Sequence, residues 1–304
     1  MLAKIVFVHG VGKQYLSEDS LARDVVPELR GGIRLAGGPV PAENELEVAF
    51  YGDLFRPRGT RSVMQPNYDA ADIETEEEFL LLMEWWAEAA RIDEAVPGPA
   101  ETGTRGSAGW AMSRSLRLSA VRSALDALTG AKFMRGILDR VLIGDLKQMT
   151  TYFANSELRC EARARLAAKI TPETRVVVSH SLGTIVAYET LCDSRLNAGW
   201  DIDMLVTLGS PLGMRALVLD RLVPAPINQQ AIWPRCLRSW TNVADLSDIV
   251  AVVRKLRPSF GELVTDVVVN NGSHMHESTR YLTAAETGQA IISGLNRTQI
   301  SGGI

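Results

Sequence analysis

Short apolar, β-branched runs recur along the chain, and stretches with helical spacing of apolar residues separate them. Apolar runs of this length, bounded by turn residues, are the mark of strands buried on both faces. Strands are predicted over 4–8, 46–51, 175–178, 203–208, 237–243 and 266–269. Helices are predicted near 19–35, over 157–170, between the later strands, and from 277 to 295. Alternating strands and helices define an α/β fold with a mostly parallel sheet covered by helices on both faces.

The strand signal disappears between 57 and 144. Thr75-Glu76-Glu77-Glu78 has the form of a capping box, in which a hydroxyl and a glutamate three places on take up free N–H groups. The helix it opens carries Phe79, Leu82, Met83, Trp86 and Ala90 on one face. Residues 96–109 are rich in Gly, Pro, Ser and Thr and are expected to form a loop. Further helices are expected over 110–128, closed by Gly130, and over 133–153. The expected organisation is a core of 1–56 and 145–304, interrupted by a helical cap or lid at 57–144. Met64, Met83, Trp85, Trp86, Trp110, Met112, Phe133 and Met134 make that insertion apolar. They would either line a pocket for an acyl chain or form the segment's own core.

Composition narrows the function classes. Of 304 residues, 46% are hydrophobic and 22% charged, which suits a globular protein with a sizeable core. The formal net charge is −4 and no dense Lys/Arg block occurs, which argues against nucleic acid as a partner. No run of about 20 apolar residues is free of charge, so no membrane span is expected. The N-terminus lacks the pattern of a secretory signal. Cys160, Cys192 and Cys236 are far apart and show neither metal-ligand spacing nor a disulfide framework, so a reducing, cytoplasmic setting is expected.

The chemistry concentrates at Arg175 through Ala187, where Val176-Val177-Val178 runs into Ser179-His180-Ser181-Leu182-Gly183 and then into a helical pattern. A strand, a sharp turn bearing a serine and a helix form a nucleophile elbow. A serine hydroxyl is a weak nucleophile at neutral pH, so it must be exposed at a fixed position beside a base. The helix N-terminus adds N–H groups that favour negative charge nearby. Small residues are needed two places before and after the serine; Gly183 is one, and Ser179 stands where the motif usually has a glycine.

An oxyanion site needs two N–H donors. Leu182, just after the serine, offers one. Val11, in the loop His9-Gly10-Val11-Gly12 after the first strand, offers the second, with Gly12 as the alternative. The base should be a histidine late in the chain if the order is Ser, acid, His. Of the four histidines, His9 belongs to the oxyanion loop and His180 adjoins the serine, leaving His276, with His274 as the alternative. The carboxylate that orients the base should follow the strand at 237–243. Asp248 is favoured by the apolar Ile249-Val250 behind it, and Asp245 is the alternative.

The chain resembles the α/β-hydrolase superfamily, in particular its lipase- and esterase-like members. The likeness lies in Phe7 through Gln14, Ser179 through Leu191, Thr207 through Gly213, Asp248-Ile249-Val250, and His276 followed by Tyr281-Leu282. It implies Ser181 as nucleophile, Asp248 as triad acid and His276 as base, and says little about substrate. The reaction expected of these residues is hydrolysis of a small-molecule ester or acyl substrate, with no metal or organic cofactor required. Thioesterase, amidase or acyltransferase chemistry would use the same triad. A non-catalytic binding protein of the same fold is the alternative of a different class.

Overall fold

The computed structural model describes residues 3–56, 67–99, 113–131 and 139–300. Six strands form one sheet: β1 (Ile5–Val8), β2 (Leu46–Ala49), β3 (Val176–His180), β4 (Met204–Leu208), β5 (Trp240–Asp245) and β6 (Val264–Val269). All pairings are parallel, in the spatial order β2-β1-β3-β4-β5-β6.

Alternate side chains of each strand leave on opposite sides. Val6 and Val8 share a cluster with Phe79, Leu82, Trp86, Leu146 and Ile185. Ile5 and Phe7 instead join Leu21, Leu29, Ile33 and Ile291. Helices therefore cover both faces: Glu18–Leu35 and Ala285–Ile300 on one, and Glu76–Ile92, Asp139–Ala154, Ser156–Ala167 and Leu182–Cys192 on the other. This two-sided burial is why the central strands are apolar along their whole length instead of alternating.

The capping box at Thr75 forms. Thr75 Oγ1 accepts from the Glu78 amide (3.2 Å), and Glu78 Oε2 accepts from the Thr75 amide (3.2 Å). Glu78 also meets Lys147 Nζ at 3.0 Å, tying this helix to Asp139–Ala154. Met83, Trp85 and Trp86 are buried in the cluster on the sheet's face. For these three the structure thus selects core packing over a pocket wall. Met64, Trp110, Met112, Phe133 and Met134 lie outside the described residues.

Two expectations need correction. The connections between β4, β5 and β6 hold only the 3-10 turn Leu219–Arg221 and the four-residue helix Arg257–Phe260. Pro211, Pro224, Pro226 and Pro234 lie in the first of these connections, and proline supplies no amide hydrogen to a helix. The helix expected over 277–295 is two helices, Ser278–Thr283 and Ala285–Ile300, because Ala284 is extended (φ −62°, ψ 135°). The break keeps Tyr281 and Leu282 buried near the ends of the strands while Ile291 packs on the sheet.

No helix among the described residues is long and apolar enough to cross a membrane. The three cysteines are free thiols.

The strand order reverses between β1 and β3, since successive connections depart from them in opposite directions. In open parallel sheets, the crevice beyond the carboxyl ends at such a point is where ligands bind.

Candidate active site

Ser181 follows β3 at that crevice. Its backbone has φ 53° and ψ −127°, a conformation that costs a side-chain-bearing residue about 1–3 kcal/mol. Sequence explains how the turn is tolerated. The loop after β1 lies so close that a Cβ on Gly10 would sit 2.6 Å from Ser181 Cβ. Thr184 secures the first helical turn by donating to the Ser181 carbonyl (2.7 Å) and touching Ser210 Oγ (2.8 Å) beyond β4.

His276, beyond β6, places Nε2 at 3.0 Å from Ser181 Oγ and Nδ1 at 2.8 Å from Asp248 Oδ2. A carboxylate only accepts, so Nδ1 carries the hydrogen and Nε2 is left to accept from the serine hydroxyl. Asp248, in the loop after β5, is fully buried. Its Oδ1 accepts from the amides of Val250 (2.9 Å) and Ala251 (3.4 Å). Its Oδ2 also accepts from Tyr281 Oη at 2.8 Å. Gly209, with φ +53°, makes room for this group, because a Cβ there would lie 2.7 Å from Asp248 Oδ2 and 3.1 Å from His276 Nδ1.

The two alternatives, Asp245 and His274, lie apart from Ser181 and make other contacts. Asp245 Oδ1 accepts from the Ser247 amide (2.6 Å) and its Oδ2 from the Asn271 amide, so both oxygens serve the loop. His274 is exposed and pairs with Glu277 at 2.9 Å. The structure therefore brings together Ser181, His276 and Asp248, and leaves Asp245 and His274 outside.

Of the oxyanion candidates, the Gly12 amide donates to Gln148 Oε1 at 3.1 Å and is occupied. The Val11 and Leu182 amides meet no protein acceptor among the described residues. Both belong to segments that abut Ser181.

Electrostatics separate the histidines. Burial pulls the His276 pKa down, but the Asp248 carboxylate, through its charge and its hydrogen bond, and the nearby Asp145 raise it above the ordinary histidine value. His180 is held well below that value by burial and by the charge on His276. Its Nε2 donates to the His276 carbonyl (2.9 Å), which anchors the His276 backbone. His9 is lowered to about 4 by burial; its Nδ1 donates to the Gly10 carbonyl (2.7 Å) and its Nε2 accepts from the Tyr51 amide (3.0 Å).

Three contributors have roles that sequence reasoning does not assign. Tyr281 Oη accepts from the Asp245 amide (2.8 Å) and donates to Asp248, so it braces that carboxylate. Its place soon after His276 is visible in the sequence, but nothing there points to this contact. Gln148 fixes the loop after β1, also donating to Gln14 Oε1 at 3.2 Å. Asp145, one turn earlier on the same helix, is pushed up to about 7 by burial, against the charges of His276 and Lys13. The facing of a helical side chain onto a distant loop leaves no local mark in sequence.

Compared with protein families, with curated proteins and with solved structures, the chain matches none. What is established is an α/β protein whose six parallel strands carry this constellation at their carboxyl ends.

Proposed function

We propose that the protein is a serine hydrolase of the α/β-hydrolase type that cleaves carboxylic esters through an acyl-enzyme. The observation that carries this reading is the unbroken chain from Ser181 Oγ through both nitrogens of His276 to Asp248 Oδ2, with links of 3.0 and 2.8 Å. In the proposed reaction, His276 Nε2 takes the serine proton as Oγ attacks the ester carbonyl. The Val11 and Leu182 amides receive the oxyanion. Collapse expels the alcohol, which takes the proton from His276. Water then attacks the acyl-enzyme, giving its proton to His276, and Ser181 regains one as the acid leaves. Asp248 stays ionised and holds the imidazole in the required tautomer.

The test is hydrolysis of short p-nitrophenyl esters. Ser181→Ala is expected to lower turnover by roughly 10⁴-fold or more while leaving the circular-dichroism spectrum and melting temperature close to those of the wild type. Wild-type turnover in a folded Ser181→Ala protein discards the mechanism.

A further inference from the structure

Asp145 lies on the helix Asp139–Ala154, three residues before Gln148, and turns toward the loop after β1. Its Oδ1 is sealed from solvent and meets no hydrogen-bond donor. The residue as a whole is half-buried. A Cβ on Gly12 would lie 3.3 Å from Oδ1, so the carboxyl rests against the loop that bears the Val11 amide. No ion pair joins it to Lys13 among the described residues, although the Lys13 charge acts on it. His276 and Asp145 also feel each other's charge. A buried polar atom without a partner is costly, and each one in a folded protein calls for an explanation, a group that completes the bonding being one.

The neighbouring glutamine makes a useful contrast. Gln148 spends its oxygen on the Gly12 amide and its nitrogen on Gln14 and the Gly144 carbonyl (3.4 Å). It is a finished structural contact. Asp145, one turn away, faces the same loop with an oxygen to spare.

We propose that Asp145 is a specificity-determining residue, whose carboxyl accepts a hydrogen bond from a hydroxyl, amide or ammonium group carried by the substrate next to the scissile ester. This inference rests on the serine-hydrolase reading. A substrate held over the loop that supplies the oxyanion donor places its flanking atoms beside this carboxyl. An apolar substituent there leaves the carboxyl without a donor, so the preference arises as much from rejecting apolar groups as from binding polar ones.

The experiment compares p-nitrophenyl esters in matched pairs that differ by one hydroxyl or one ammonium group on the acyl chain, and ester pairs differing likewise on the alcohol. Labelling of the wild-type serine with a fluorophosphonate is measured alongside. The wild type is expected to favour at least one donor-bearing ester by about tenfold in kcat/KM, the worth of one well-made hydrogen bond. Asp145→Leu is expected to erase the preference. Asp145→Asn, which keeps the shape and one acceptor oxygen, is expected to retain part of a hydroxyl preference and lose an ammonium preference. This second variant carries the test if the leucine variant does not fold. A labelled wild type that treats every pair alike, or folded variants that keep the wild-type ratio, overturns this inference alone. Absence of labelling in the wild type overturns the hydrolase reading and this inference with it.

Discussion

Two buried carboxylates on the same molecule receive nearly the same bonding and do different things. Glu189, fully buried on the helix that follows Ser181, accepts from Tyr152 Oη (2.8 Å), from Arg159 Nε (2.9 Å) and a second Arg159 nitrogen, and from the Val223 amide (3.0 Å). Asp248, equally buried, accepts from His276, Tyr281 and two amides. The difference is the charged partner. Arginine keeps its proton at any working pH, so the Glu189 network is locked. Histidine gains and loses a proton near neutrality, and the far nitrogen of His276 is aimed at a hydroxyl. A saturated network with a permanent cation braces the fold. Under the proposed function, one that ends on an exchangeable proton beside a strained serine serves proton transfer.

Substitutions at the two carboxylate networks should therefore separate activity from stability. The largest effect is expected at Asp248. Asp248→Asn should cut kcat for short aryl esters by about 10⁴-fold, because the amide no longer selects the Nδ1–H tautomer. The pH profile checks the cause. The base must be unprotonated, so wild-type activity should rise with pH through a limb above the ordinary histidine value. In Asp248→Asn the two strongest upward influences vanish while burial stays, and the limb should move to lower pH. A limb that does not move contradicts the assignment.

Arg159→Met should act on the other side of the comparison. It leaves Glu189 buried without its cation, at a cost of about 3–5 kcal/mol in urea unfolding. Fluorophosphonate labelling per folded molecule should match the wild type. A large loss of labelling in folded protein would merge the two networks that the structure keeps apart.

The smallest effect is expected at Gln148. Gln148→Leu frees the Gly12 amide and loosens the loop that presents Val11, which should lower kcat about tenfold with little change in KM. Gln148→Glu keeps an acceptor for that amide and should recover much of the loss. Equal defects in both variants would point to packing alone.

How much was legible in the sequence follows the same division between local and distant contacts. The β3–Ser181–helix unit lies in one contiguous stretch, and its strand, turn and helix signals all agree. The late position of His276 could be reasoned from chain order. The choice between Asp245 and Asp248 could not be closed, since it depends on which loop amides each oxygen meets. Asp145 and Gln148 project from a helix whose rotation is set by Leu142, Leu146 and Met149 packing into the core, which a spacing pattern does not connect to the loop after β1. The break at Ala284 has no proline or glycine beside it, so the helical period ran through it unmarked.

The most direct test of the central claim is the rate and site of fluorophosphonate labelling of the native protein as pH is varied. A single adduct on Ser181, located by mass spectrometry, is expected to form at a rate that rises through a limb above the ordinary histidine value, and protein denatured beforehand is expected not to react. No adduct on Ser181, or an adduct whose rate in the folded protein is no greater than in the denatured one, would contradict it.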